Sequence, residues 1–301
     1  MSNNLKVLVG ANGSGKTFNL NKRLREVNCG LLITEDGMPQ FNKDIKKVNI
    51  DYNEKKYVYI DEENRGRKGH RDIQNEENEE ISTASQNVIK YVTDIMKRLK
   101  TIINKSKGQE KLNNMLNIFL QYNLNHIRHI FLDEPENYFD EDYLKIIGRV
   151  INILLENNYC VEVATHSSRL LKILEIDIDN ILLVNNHNIK TVSTQNIISL
   201  YRDVADEIKN VAEESRVNDN PGILYKLNLV NNTDLLNSFI EQNLKSEEFY
   251  RCLFCKKILI VEGDSDAMAL NSIKNDFDIS VEIFVANGKA YIPFFARLFY
   301  S

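Results

Sequence analysis

A glycine-rich segment near the start of the chain has the residue types and spacing of a phosphate-binding loop. Residues 10–17 read Gly-Ala-Asn-Gly-Ser-Gly-Lys-Thr and fit the pattern G-x-x-x-x-G-K-[ST] throughout. Glycines let the backbone curl so that several N–H groups point at phosphate oxygens, and a helix that follows adds its positive N-terminal dipole. The lysine of this pattern reaches the β- and γ-phosphates, and the hydroxyl binds Mg²⁺. The segment predicts a triphosphate site built from Gly10, Asn12, Gly13, Ser14, Gly15, Lys16 and Thr17.

A second motif places two acids directly after an apolar run. The run 129–133 reads His-Ile-Phe-Leu-Asp, predicts a buried strand, and is followed by Glu134. In open α/β folds, ligands bind at the carboxyl ends of the strands, so this strand would deliver both acids to that edge. Asp133 would hold Mg²⁺ through water, and Glu134 would polarise the attacking water as general base. For the motif taken alone, a solvated strand end is the alternative interpretation.

A third motif, near the C-terminus, has a similar plan. The apolar run 258–261 is followed by Glu262, a glycine, and the acids Asp264 and Asp266. Glu262 and Asp266 are candidate ligands of a divalent ion that supports phosphodiester cleavage. Acids that merely end a strand and cap the next helix are the alternative interpretation.

The elements that must position these motifs alternate between strands and helices. Apolar residues at three- and four-residue spacing, such as Val88, Val92, Met96 and Leu99, indicate helices, and short apolar runs indicate strands. The sequence Asn-Asp-Asn-Pro-Gly at 218–222 predicts a break between domains. Strands are predicted at 5–9, 31–34, 129–133, 161–165, 257–261 and 281–285, hairpins at 45–60 and 181–192, and helices at 16–27, 82–100, 112–124, 142–157, 196–215, 266–275 and 290–300.

Composition sets the broad class. The 301 residues are 43% hydrophobic and 27% charged, which is ordinary for globular proteins and enough for two domains. No run approaches the length of a membrane span, and the polar N-terminus does not resemble a secretory signal. The net charge of -5 disfavours a globally basic nucleic-acid binder. With four cysteines and no export signal, a reducing cytoplasm is expected.

Together, the first two motifs resemble those of the ABC-type ATPases of the SMC-like branch. The resemblance implies ATP and Mg²⁺ as cofactors, with Lys16, Glu134 and His166 as catalytic residues. His166 follows the strand predicted at 161–165 and would be the switch histidine that contacts the γ-phosphate. The resemblance also implies a glutamine after an early strand, for which Gln40 is the candidate.

The resemblance further implies a signature loop, which in the family closes over ATP held by the opposite subunit. Residues 81–86 read Ile-Ser-Thr-Ala-Ser-Gln, with Ser82 as the candidate contact and Ala84 where the family has glycine. A hydroxyl at an exposed helix N-terminus can bind phosphate. A plain helix N-cap is the alternative interpretation of Ser82.

The C-terminal motif resembles the first motif of Toprim domains, and Asn-Gly-Lys at 287–289 resembles a turn of the OLD-family subset. An ATPase followed by Toprim is the OLD-family layout, which Gabija A subunits and PARIS-type phage-defence proteins share. Toprim sites need a further Asp-x-Asp strand, which the sequence lacks before Ser301. We therefore expect the partial site of Glu262 and Asp266 to be truncated, completed by another chain, or inactive.

The resemblance gives an expected organisation. It implies an α/β P-loop NTPase of ABC type at 1–217 with a helical insertion at about 62–125, a helical connector at 218–255, and the first half of a Toprim-like α/β domain at 256–301. An OLD-like protein of this kind would hydrolyse ATP, with an ATP-driven dimer cycle that controls nucleic-acid cleavage in anti-phage defence. A nucleotide-gated sensor or scaffold that holds a separate effector is the alternative.

The expected partners follow from the same layout. A homodimer or higher homo-oligomer would form through an ATP sandwich, and another chain or effector would complete the Toprim site. The basic run 65–71 could contact DNA phosphates, but a solvated loop that balances the acids at 76–80 is the favoured interpretation. No membrane partner is expected. Cys252 and Cys255 form a single CxxC without a second pair, so two buried thiols are expected rather than a zinc or redox site.

Overall fold

A computed structural model describes residues 4–60, 79–99, 106–214, 233–276 and 281–300. The chain is a mixed α/β protein with a sheet rich in parallel strand pairs. Internal contacts divide it into two units: the first contains Met1–Leu8 and Lys16–Thr165, and the second contains Val9–Gly15 and His166–Ser301. The predicted domain boundary near residue 217 and the basic run 65–71 lie outside the described residues, so both remain predictions.

The strands of the first unit form two sheets. They are β1 (Leu5–Val9, whose last residue is assigned to the second unit), β2 (Gly30–Ile33), β3 (Pro39–Phe41), β4 (Val48–Asp51), β5 (Lys56–Tyr59), β6 (Glu79–Glu80), β7 (His129–Asp133) and β8 (Cys160–Thr165). Five of them lie in the order β3-β2-β7-β8-β1, and the β2–β7 and β7–β8 pairs are parallel. All of β2 and the last four residues of β7 are buried, as is usual for strands covered on both faces.

The hairpin predicted at 45–60 is confirmed as the antiparallel pair β4–β5. It belongs to a separate three-stranded sheet, in which β6 pairs with β5. Neither β6 nor β3 was expected, because both are too short to give an alternating pattern in the sequence.

The helices of the first unit agree in type with the sequence and differ at their ends. They are α1 (Lys16–Glu26), α2 (Thr83–Leu99), α3 (Lys107–Gln121) and α4 (Glu141–Glu156). The helix α3 begins five residues earlier than its apolar pattern suggests, because the Ser106 side chain accepts a hydrogen bond from the Gln109 N–H and caps it. In the same way, Asp140 caps α4 at the Tyr143 N–H.

The second unit contains further helices, a hairpin and a two-stranded parallel sheet. Its elements are α5 (Ser168–Ile173), β9 (Ile181–Asn185), β10 (Asn188–Thr191), α6 (Thr194–Glu214), α7 (Thr233–Asn243), α8 (Glu247–Cys252), β11 (Ile258–Val261), α9 (Asp264–Asp276), β12 (Glu282–Val285) and α10 (Ile292–Tyr300). Strands β11 and β12 form a parallel pair, and α9 lies between them in the chain. This confirms the strands and the helix predicted for this segment. The Toprim assignment of this segment remains a prediction.

Aromatic rings form the core of the second unit. Phe239 packs against Tyr201, Phe294 and Phe295 with ring centroids 5.6, 5.9 and 6.0 Å away, and Phe284 lies 4.6 Å from Phe295. Aromatic pairs at these spacings add to the stabilisation that comes from burial. Across the described parts of both units, no helix combines the length and apolar character that crossing a membrane requires.

Candidate functional site

The first residues of α1 meet the carboxyl end of β7. The Thr17 hydroxyl donates a hydrogen bond to Asp133 Oδ1 over 3.2 Å, and Lys16 Nζ lies 3.9 Å from Glu134 Oε1. Lys16 is 4% exposed and Asp133 is 5% exposed, so both charged groups are held away from bulk water. The structure therefore brings together four of the residues that the two sequence motifs predict.

An ion pair fixes α1 beside the sheet. Arg23 on α1 donates Nη2 to Glu162 Oε1 of β8 over 2.7 Å, while its Nε bonds the other carboxylate oxygen. This hydrogen bond to Glu162 raises the pKa of Arg23 above its ordinary value. A two-point contact of this kind fixes orientation as well as distance, so it helps to hold the N-terminus of α1 in place.

The electrostatic environment of Asp133 favours a cation nearby. Burial raises the pKa of Asp133 above its ordinary value of 3.8, the hydrogen bond from Thr17 lowers it, and the charges of Glu134 and Glu35 raise it further. Lys16 offsets part of this effect. Because the ionised carboxylate is penalised by burial, a bound divalent cation would stabilise it strongly.

Glu134 stands in an uncommon backbone conformation. Its φ is 43°, and Tyr138, four residues later, has φ 71°. Such left-handed conformations cost about 1–3 kcal/mol for residues other than glycine and persist only where the surroundings enforce them. The Glu134 N–H donates to the Ala164 carbonyl of β8 over 2.8 Å, which anchors the first residue of this turn to the sheet.

Asn137 is a site residue that sequence reasoning missed. Its Nδ2 donates to Glu134 Oε2 over 3.0 Å and to Glu35 Oε1 over 2.6 Å. It thereby orients the carboxylate that the motif predicts to be the general base. The available signal was the position of this asparagine, three residues after Glu134. Asparagine is frequent in turns, so it could have indicated a turn there that carries the side chain back toward the acid.

The end of β8 leads to the predicted switch histidine. Thr165 Oγ1 donates to Glu136 Oε1 over 2.5 Å, and both residues are buried. His166 is the next residue and begins the larger segment of the second unit, where it is half-buried. Its predicted contact with the γ-phosphate remains a prediction.

The glycine-rich loop itself belongs to the second unit. Gly13 and Gly15 have φ values of 78° and 100°, which explains the need for glycine at these two positions. The Ser14 N–H donates to the Ala11 carbonyl over 3.1 Å and tightens the turn. The Ser14 Oγ is buried and has no hydrogen-bond partner within the described residues, so it is available to a ligand in the loop.

The β9–β10 hairpin contacts this loop. The sequence predicted both the hairpin and the loop, but it did not indicate the contact between them. The two-residue turn of the hairpin is Asn186–His187, with φ values of 46° and 66°, as in type I′ turns. The His187 N–H donates to the Ser14 carbonyl over 2.8 Å. A Cβ on Gly15 would lie 2.4 Å from His187 Nδ1, so the imidazole ring covers this glycine closely.

Ser82 and Gln40, the predicted signature-loop contact and the predicted glutamine of the nucleotide site, are exposed residues of the first unit. Ser82 is exposed and accepts a hydrogen bond from the Ser85 N–H over 3.2 Å, which is the contact of a helix N-cap. Gln40 is exposed in β3, where its backbone is paired with Leu32 of β2. The nucleotide roles predicted for both residues remain predictions.

The C-terminal acids are exposed. Glu262 follows β11, and Asp264 and Asp266 occupy the first turn of α9. Among the described residues, no group of three or more histidine, cysteine or acidic side chains could hold a metal ion. The metal role of Glu262 and Asp266 remains a prediction.

The CxxC pair differs from expectation. Cys252 is 1% exposed, and burial raises the pKa of its thiol to about 12. Cys255 is exposed, so only one of the two thiols is buried. The prediction of two buried thiols is therefore wrong for Cys255, because the short turn after α8 carries it to the surface.

The fold and the loop motif define this chain as a mixed α/β protein that carries the sequence pattern G-x-x-x-x-G-K-[ST]. No protein-family model matches the sequence, and no curated protein matches it. Among solved structures, the chain is similar to one described as an inward-facing conformation of a metal-chelate type ABC transporter. The two share 15% identity with a TM-score of 0.38, over 64% of this chain and 74% of the other. Values this low assign neither a family nor an activity.

Proposed function

We propose that this protein binds and hydrolyses ATP with Mg²⁺. The observation that carries the proposal is the meeting of Thr17 with Asp133 at 3.2 Å and of Lys16 with Glu134 at 3.9 Å. Two motifs more than 100 residues apart in sequence supply a hydroxyl, an ammonium and two carboxylates to one sheet edge. These are the groups that phosphoryl transfer from a nucleotide requires.

The residues present fit both cofactors. For ATP, the loop 10–15 offers backbone N–H groups and the buried Ser14 hydroxyl to phosphate oxygens. For Mg²⁺, the Thr17 hydroxyl would be a hard oxygen ligand, and the Asp133 carboxylate bonded to it would hold the ion through water. Mg²⁺ takes about six oxygens and keeps several waters, so two protein groups with the phosphates suffice.

Each residue has a role in the proposed reaction. The Lys16 ammonium would neutralise phosphate oxygens. Thr17 and Asp133 would hold a Mg²⁺, which would offset the negative charge that develops on the phosphates. Glu134 accepts a proton from the attacking water as the water oxygen bonds to the γ-phosphorus. The bond from that phosphorus to the bridging oxygen then breaks, and ADP leaves with its electron pair.

The test is hydrolysis by matched carboxylate variants. Glu134→Gln removes the general base and should lower kcat by about 100-fold or more, while ATP still binds. Glu156→Gln, at the exposed end of α4, is the control and should hydrolyse ATP like the wild type. Phosphate release measured against ATP concentration separates the two, and normal turnover by Glu134→Gln would disprove the site.

We further propose that ATP pairs two chains, with Ser82 of each contacting the nucleotide of the other. The exposure of Ser82 at the start of the 17-residue helix α2 supports this, as does the resemblance of the segment 81–86 to a signature loop. The Glu134→Gln variant should then accumulate as an ATP-bound dimer, and Ser82→Arg should prevent that dimer. Sedimentation with and without ATP measures both outcomes.

We also propose that the ATP cycle controls nucleic-acid cleavage in defence against phage, as the OLD-like layout implies. Glu262 and Asp266 would supply this chain's part of a cleavage site that another chain completes. The test incubates the protein with Mg²⁺, ATP and plasmid DNA. Cutting that is lost in Glu262→Ala supports the proposal, whereas intact ATP hydrolysis without cutting supports the alternative of a nucleotide-gated scaffold.

A further inference from the structure

Lys111 is a buried lysine that neither sequence motif includes. It lies on α3, inside the predicted helical insertion, and only 5% of it is exposed. Its Nζ donates to the Glu134 carbonyl over 3.0 Å and to the Asn137 carbonyl over 3.3 Å. The ammonium also lies 5.4 Å from the centroid of the Phe139 ring. One side chain of the insertion therefore contacts both ends of the turn that carries the proposed general base.

The burial of this ammonium is costly, and nearby acids compensate for it. Burial lowers the pKa of Lys111, while the charges of Glu136, Glu35, Asp36 and Glu134 raise it. A lysine is almost never buried unless it is paired, so a specific role for the charge is expected. The two carbonyls and the surrounding carboxylates provide that pairing.

The backbone of α3 also approaches this turn closely. A Cβ built on Gly108 would lie 2.2 Å from the Tyr138 carbonyl oxygen, so no larger residue fits there without a shift. Tyr138 is the second left-handed residue of the turn, with φ 71°. Gly108 and Lys111 are about one helical turn apart, so both contacts lie on the same face of α3.

We propose that Lys111 is a positioning residue that holds Glu134 in its left-handed conformation and thereby couples the helical insertion to ATP hydrolysis. This inference rests on the proposed ATPase function. The Lys111 ammonium fixes the backbone of Glu134 and Asn137, and Asn137 in turn fixes the Glu134 carboxylate at 3.0 Å. A movement of α3 would therefore reach the general base directly, without passing through the nucleotide.

The test compares two lysines of the same helix. Lys111→Met removes the ammonium and keeps most of the apolar side chain, while Lys107→Met does the same at an exposed position one turn earlier. In Lys111→Met, we expect kcat to fall by about tenfold or more with the KM for ATP nearly unchanged, because small misplacements of a catalytic group are costly. Lys107→Met should match the wild type in both constants.

Further measurements separate positioning from folding. Circular dichroism and the affinity for a fluorescent ATP analogue establish that each variant folds and binds nucleotide. Lys111→Gln, whose amide can donate to one of the two carbonyls, should retain more kcat than Lys111→Met. If Lys111→Met does not fold, Lys111→Gln is compared with Lys107→Gln by the same criteria.

The outcomes distinguish the two levels of the proposal. If the wild type does not hydrolyse ATP, the proposed function fails, and the role of Lys111 fails with it. If the wild type is active and folded Lys111→Met has an unchanged kcat, only the positioning role is overturned. Loss of nucleotide binding together with kcat in that variant would also overturn it, since Lys111 would then be a structural residue.

Discussion

Thr17 and Asp133 are 116 residues apart in sequence, and their side chains are joined by a hydrogen bond of 3.2 Å. Thr17 is the last residue of the glycine-rich motif, and Asp133 ends β7. The hydroxyl and the carboxylate are oxygen donors of the kind that Mg²⁺ prefers, and both belong to the proposed metal site.

The first prediction concerns the Mg²⁺ requirement. Thr17→Val keeps the shape of the side chain and removes the hydroxyl, so half-maximal hydrolysis should need about tenfold more Mg²⁺. Thr17→Ser restores the hydroxyl and should stay close to the wild type. Titration of ATP hydrolysis with Mg²⁺ at fixed ATP measures both variants, and equal requirements in Val and Ser would remove Thr17 from the metal site.

The second prediction concerns pH and the stability of the nucleotide-free protein. Because burial raises the pKa of Asp133 above 3.8, its ionised form destabilises the folded state as the pH rises through that raised pKa. Asp133→Asn cannot ionise, so it should melt at a higher temperature than the wild type at neutral pH. The difference should shrink as the pH is lowered toward 3.8, the ordinary value.

Thermal melts over a pH series measure this effect, and hydrolysis assays accompany them. Asp133→Asn should lose Mg²⁺-dependent turnover while it gains stability, because the neutral amide is a poor ligand for Mg²⁺. A variant that melts below the wild type at every pH would show that the Asp133 charge stabilises the empty site.

The third prediction concerns the packing of α3 on the turn after β7. Gly108→Ala places a Cβ 2.2 Å from the Tyr138 carbonyl oxygen, so the free energy of unfolding should fall by about 1–3 kcal/mol. Gly263→Ala is the control, since a Cβ there has nothing within 4 Å. Urea denaturation compares the two, and equal stability in both variants would refute the close packing of α3.

The fourth prediction concerns thiol reactivity. Cys255 is exposed, whereas Cys252 is buried. Burial raises the pKa of the Cys252 thiol to about 12, so the reactive thiolate form of Cys252 is scarce at neutral pH. Iodoacetamide should label Cys255 in the native protein and Cys252 only after denaturation. Peptide mass spectrometry locates the label, and rapid native labelling of Cys252 would contradict its burial.

Much of the local structure could be predicted from the sequence. The hairpin at 45–60 and the helices α2 and α4 follow from apolar spacing alone, because that spacing records which face of an element is buried. The hairpin predicted at 181–192 is likewise confirmed by the antiparallel β9–β10 pair. The early start of α3 could not be located in this way, because it depends on the Ser106 cap, which leaves little trace in an apolar pattern.

The residues assigned to the proposed chemistry can be named from two short segments, because the glycines, Lys16, Thr17 and the acids at the end of β7 stand there at motif spacing. The contact of Thr17 with Asp133 and the contact of Lys111 with the Glu134 carbonyl became visible with the packed structure alone. Periodicity and motif spacing describe neighbours along the chain, whereas these two contacts form when elements that are distant in sequence pack together.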